Sequence, residues 1–200
     1  MVDKLVLSAI HARFRQLRNG EVVDNLAAQG ITYRLAWGLE SYRLREIAQE
    51  FEPSAELAET LWAEDVRESK MLATRLYPLD ELTIETAQEW IKDVGHTEIA
   101  DQLCMNLLAK ASFANELIGR LLDRDFDQEP ITTYIALKIA TRIESKTDRC
   151  NILADKIIGS KAPIFLKTAA LWYQQMYGQQ DRRKEQETRT DIKKNSLGEQ

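Results

Sequence analysis

The chain has 200 residues, 44% of them hydrophobic and 30% charged, with a formal net charge of −5. That length can build a domain with a substantial core, and the acidic total argues against a strongly basic nucleic-acid binder. No apolar run approaches the roughly 20 residues of a membrane span, and "MVDKLVLSAIHARFRQ" is too charged, and lacks the cleavage site, for a secretory signal.

Apolar residues recur at three and four positions almost throughout, and no alternating strand pattern persists. The periodicity predicts ten or eleven helices, over 3–18, 21–29, 41–51, 54–63, 65–77, 83–93, 97–110, 113–123, 129–143, 146–158 and 163–177. Gly and Pro mostly fall between these segments; Gly119, inside "FANELIGRLLDR", is the exception. Ser54 reads as a plain cap. Thr83 opens "IETAQEWIKDV", "TDRC" precedes "NILADKII", and Pro163 stands at a helix start. Residues 179–200 are nearly all polar and read as frayed helix or disorder. The helices follow one another as pairs with short turns, a weak self-similarity of the helical-solenoid kind.

Charge is uneven along the chain. Residues 51–100 hold 12 acids and 4 bases, whereas residues 151–177 hold Lys156, Lys161 and Lys167 against Asp155 alone. Overall acidity therefore leaves room for a local basic surface. The three lysines read as ordinary solvated side chains or as phosphate contacts. Cys104 and Cys150 are isolated and match no metal spacing, and His11 and His96 are the two histidines. No metal site and no organic cofactor are implied, and a reducing cytoplasm is the default location.

Trp62, Trp90 and Trp37 read as core. In "KAPIFLKTAALWYQQMYG" the wheel gathers Phe165, Leu166, Ala169, Ala170, Tyr173, Met176 and Tyr177 into one apolar arc. Trp172 falls at its edge, where a tryptophan is either core packing or an aromatic face offered outward. Asp101 likewise sits at the edge of the arc Ile99, Ala100, Leu103, Cys104, Leu107 and Leu108. It reads as a rim carboxylate or a site residue. His96 reads as part of the 95–97 turn, with a base-facing role as the alternative. Tyr33 and Arg34 read as a surface turn, with a place near a groove mouth as the alternative.

Three stretches carry a resemblance. "AELAETLWAEDVRESKMLATRLY", with Leu61, Trp62, Arg67, Leu72 and Ala73, resembles a unit of the DNA alkylation repair family, glycosylases of HEAT-like helical repeats. "EWIKDVGHTEIADQLC" is similar to the next unit of that family, and "IFLKTAALWYQQMY" to its late helix; the likeness runs from about Tyr42 to Tyr177. The resemblance implies an all-α right-handed superhelix of HEAT-like repeats, a single domain over 1–178 with 179–200 as a charged tail. It also implies cleavage of the N-glycosidic bond of cationic N3- or N7-alkylated purines in duplex DNA. Indole faces attract such a base, and a carboxylate answers the oxocarbenium character left on the sugar.

Carried over, the carboxylate falls on Asp101 and the late tryptophan on Trp172, with Lys167 meeting a phosphate. The expected first aromatic, four residues before the carboxylate, is Thr97 here, with His96 beside it. The arginine expected on the helix after "DFDQEP" is absent from Ile131, Thr132 and Thr133. Asp101 and Trp172 are expected to face one groove. The alternative function is a catalytically silent helical-repeat module that binds a protein or DNA.

Overall fold

The computed structural model describes residues 2–177. Among these, all regular structure is helical, and no helix is long and apolar enough to cross a membrane. The helices are α1 (Lys4–Gln16), α2 (Gly20–Ala28), α3 (Ser41–Ala48), α4 (Ala55–Trp62), α5 (Arg67–Leu76), α6 (Ile84–Lys92), α7 (Thr97–Asn106), α8 (Ala114–Leu122), α9 (Pro130–Arg142) and α10 (Asp148–Gly159). A further helix, α11, runs over residues 164–177. The expected tail, 179–200, lies outside the described residues.

Each predicted helix has its counterpart, and local chemistry fixes the ends. The Ser54 hydroxyl accepts from the Leu57 N–H, Thr83 from Thr86, and Thr147 from Cys150. Each satisfies an amide that would otherwise lack a partner at the first turn. The segment expected as one helix over 97–110 is broken. Leu107 leaves helical geometry at φ −124° and ψ −68°, and Leu108–Lys110 form a 3₁₀ turn.

The chain divides into two compact units, with the division inside α8 after Leu117. In the first unit α5 packs on α4 and is flanked by α3 and α7. Eight of its ten residues are buried, so α5 is the axis of this unit. Trp62 and Trp90 form the aromatic heart between α4 and α6. Their rings stack at 4.2 Å and 5°, and Tyr77 meets Trp90 edge-on at 5.3 Å. Such pairs contribute about 0.5–1.5 kcal/mol beyond burial. Trp62 also donates to Asp93 at 3.3 Å, and the Lys70 ammonium lies over its ring at 4.7 Å. Trp37 is only half-buried.

An ionic centre sits inside this unit. Arg67 and Glu68 are 3% and 0% exposed. The Arg67 guanidinium donates to Glu98 (Nη2 at 2.5 Å, Nε at 2.8 Å), to Glu68 at 2.6 Å and to the Leu39 carbonyl at 2.9 Å. The Glu68 carboxylate then accepts the backbone N–H groups of Trp37, Gly38 and Leu39. One arginine thus fastens α7, through Glu98, to the loop that leads into α3. Gly38 has a φ of +77°, and a Cβ there would lie 1.9 Å from the Asn19 carbonyl oxygen. Only glycine fits both demands.

In the second unit α11 is tied to α9 and the turn after it. The Tyr177 hydroxyl donates to the Thr141 carbonyl at 2.7 Å, and Tyr173 to Ser145 at 3.1 Å. Tyr134 and Phe165 meet edge to face at 5.7 Å. Cys150 is buried here, as Cys104 is in the first unit.

Candidate nucleic-acid interface

Helix α7 positions three of the sequence-predicted residues. His96 is its N-cap residue, but its side chain makes no cap bond. The ring instead packs edge-on against Tyr33 at 4.8 Å, and Nε2 lies 3.0 Å from the Thr32 carbonyl oxygen. His96 therefore anchors the loop before α3, and Tyr33 is part of that anchor rather than of a free turn. Thr97 is the first helical residue and is half-buried. Asp101, also half-buried, lies one turn on, so the two share a face. Met105, a further turn along, is exposed on that face.

The flank of α7 toward α5 is polar and engaged. Glu98 takes the Arg67 fork and accepts from the Tyr33 hydroxyl at 3.0 Å. Burial works to raise the Glu98 carboxyl, but the hydrogen bonds and charge of Arg67 outweigh it and hold it below the ordinary glutamate value. Tyr33 is pushed well up, by burial first and then by the Glu98 charge. Burial would lower the Arg67 guanidinium, yet Glu98 and Glu68 together raise it. These groups are locked into the fold and are not poised to exchange protons near neutral pH.

Below them Gln102 accepts from Arg75 at 2.7 Å, and Asn106 donates to Thr74 at 2.8 Å. Arg75 also donates to Ser41 at 2.7 Å and to the Met71 carbonyl at 2.9 Å. A polar seam thus runs from α3 across α5 to α7.

The second unit carries the other two predicted residues, both on α11. Trp172 is 55% exposed, and its indole makes no ring contact or hydrogen bond among the described residues. The edge position read from the wheel is thus an outward aromatic face. Ile164, Leu171 and Met176 are exposed with it. Met176, expected in the buried arc, is 46% exposed. The buried sector of α11 is narrower than the arc and holds Leu166, Ala169, Ala170, Tyr173 and Tyr177.

Lys167 is half-buried, with no ion pair among the described residues. Trp172 lies five positions further on, which sets the two about 140° apart around the helix. They therefore occupy opposite flanks of the exposed face. On α9, Thr132 and Thr133 are buried, so the positions without arginine are packing positions. The cations on that helix are Lys138, over the Tyr134 ring at 5.5 Å, and Arg142 in its last turn.

Asp101, Thr97 and His96 belong to the first unit, and Trp172 and Lys167 to the second. Sequence reasoning took Arg67 as a match to the family unit without its partners, and passed over Arg75, Glu68 and Glu98. The available signal was "VRESK", a charged run opening an otherwise apolar helix between two apolar helices. Among the described residues no group of three or more His, Cys, Asp or Glu side chains is placed to hold a metal.

The all-helical architecture, helix following helix across short turns, is that of HEAT-like helical-repeat proteins. One solved structure of this class matches with a TM-score of 0.69, at 11% identity over 83% of this chain and 73% of the other. It is described as representing "a new family of proteins related to the HEAT-like repeat DNA glycosylases with affinity for branched DNA structures". At that identity the likeness fixes the fold. The chain itself belongs to the DNA alkylation repair enzyme family, whose family model matches residues 10–186. No curated protein matches it.

Proposed function

We propose that this chain is a DNA-binding member of its family, taking duplex and branched DNA, in which excision of alkylated purines is weak or absent. The observation that carries the reading is position 97. Thr97 stands one turn before Asp101 on the same face of α7, where the family resemblance expects an aromatic ring. Thr132 and Thr133 are buried where that resemblance expects an arginine. What supports DNA binding is family membership, the outward indole of Trp172, and the affinity for branched DNA ascribed to the structurally similar protein.

In this reading Trp172 lies against a deoxyribose or a lesion base, and Lys167 meets a phosphate. Asp101 supplies negative charge to any oxocarbenium ion that forms on the sugar. A missing cation–π face removes about 0.5–2 kcal/mol, and 1.36 kcal/mol is tenfold in rate. The expected deficit from Thr97 alone is roughly several-fold to thirtyfold.

The test is to incubate the protein with duplex carrying 7-methylguanine and measure both released base and retained DNA, beside undamaged duplex and a four-way junction. The reading expects retention of duplex and junction, with base release near the uncatalysed rate. Thr97→Trp should then raise release. Robust wild-type release that Asp101→Asn abolishes would make the chain an active glycosylase. Failure to retain any DNA would leave the protein-binding module as the function.

A further inference from the structure

Most cations of the first unit have acidic partners or lie fully in solvent, and Arg75 is an exception. It is the one residue besides Lys70 through which α5 reaches the surface. Its guanidinium donates to three acceptors, Ser41 Oγ, Gln102 Oε1 and the Met71 carbonyl, and all three are neutral. Among the described residues no carboxylate pairs with it. A guanidinium has five N–H donors, so Nε–H and one Nη1–H are left over, with the whole positive charge.

Arg45 stands one turn along α3 from Ser41, on the same face. It is exposed and has no ion pair among the described residues. Burial, followed by repulsion from Arg45, pulls the Arg75 guanidinium down to about 10, so it stays charged at neutral pH. Two unneutralised guanidiniums side by side are costly in a unit whose residues 2–117 hold 12 bases against 20 acids. Carboxylates are abundant there, yet these two cations have none.

We propose that Arg75 and Arg45, framed by Ser41 and Gln102, form a binding site for a phosphodiester of the nucleic-acid backbone. The site rests on the DNA-binding reading above and adds to it where the strand runs. Ser41 and Gln102 hold the Arg75 fork in place from α3 and α7, so little side-chain freedom is lost when an anion arrives. Gln102 directly follows Asp101. A phosphate held here therefore registers the strand beside the helix that carries the carboxylate. Phosphate contacts position a nucleic acid without reading its sequence.

The test is the salt dependence of binding to a labelled, undamaged duplex. Each phosphate contact contributes about −0.9 to the log–log slope. Wild-type protein is expected to show a slope of about −3 to −5, from roughly three to five contacts. Arg45→Ala should reduce its magnitude by about one, Arg75→Met by about one, and the double variant by about two. Arg75→Lys, which keeps the charge, should restore most of the slope, an outcome that a purely structural role for Arg75 does not give.

Arg45 is exposed and unpaired among the described residues, so Arg45→Ala reads the site even if Arg75→Met fails to fold. Wild-type protein that binds no duplex removes the DNA reading and this site with it. Wild-type binding with slopes unmoved in Arg45→Ala and in the double variant removes the site alone.

Discussion

Helices α5 and α11, one in each unit, treat their difficult residues in opposite ways. On α5 two charged side chains turn inward: Arg67 and Glu68 are almost wholly buried, and each has its charge answered by a partner. On α11 four large apolar side chains, Trp172, Leu171, Ile164 and Met176, are exposed. Charge follows the same division. Residues 2–117 hold 12 bases against 20 acids, whereas residues 118–177 hold 9 against 7. A buried, satisfied ion pair organises a fold, because its geometry is fixed by partners on other segments. An exposed large indole with no ring or hydrogen-bond partner among the described residues contributes little to the fold and is available to a ligand. The comparison thus separates the buried pair Arg67–Glu68, kept for architecture, from side chains left open to a ligand, which the proposed function takes to be DNA.

The sharpest way to break this comparison is at Arg67. Arg67→Met leaves Glu68 buried without its cation and frees Glu98, and removing one partner of a buried pair costs about 3–5 kcal/mol. Urea unfolding followed by tryptophan fluorescence should show a loss of that order. A change near zero would mean that the ionic centre does not organise the first unit. Gly38→Ala comes next. Its Cβ would meet the Asn19 backbone at 1.9 Å on a residue with φ +77°, and the clash should cost about 2 kcal/mol or more in the same experiment.

The acid limb of stability sharpens the same point. Glu98 has its carboxyl held below the ordinary value in the folded state, so the unfolded chain binds its proton more readily. Its contribution is fully present above the unfolded value and is lost as pH falls through the folded one. Glu98→Gln should lower stability by about 1–2 kcal/mol at neutral pH and flatten the decline on acidification. Equal acid slopes in wild type and variant would show that other carboxylates control it.

The smallest stability effect is expected at Trp172. Surface substitutions away from special features change stability by about 0.5 kcal/mol or less, so Trp172→Ala should unfold with the wild-type midpoint.

The helices were legible because their ends carry local signals: Ser54, Thr83 and Thr147 as caps, and Gly and Pro between segments. The break at Leu107 was not, because Leu107 and Leu108 are both buried and continue the apolar pattern. Asp101, Thr97 and Trp172 could be picked out one at a time, since edge positions on a wheel follow from the chain alone. The Arg67–Glu98 contact spans 31 positions, and Ser41 reaches Arg75 over 34. No local pattern announces such partners, and a lone arginine on a helix reads as solvated until its neighbours are known. Met176 shows the opposite failure. The wheel places it by hydrophobicity, whereas burial depends on what packs against that side of α11.

The most direct measurement is the affinity of Trp172→Ala for a labelled four-way junction and a duplex, beside wild type, with unfolding midpoints recorded on the same preparations. Stacking of an aromatic ring on nucleic acid contributes about 1–3 kcal/mol. The account predicts a loss of roughly tenfold or more in affinity for both DNAs, with the midpoint unchanged. Wild-type affinity in the variant, or a fall in affinity that only tracks a fall in stability, would contradict the claim that α11 presents its aromatic face to DNA.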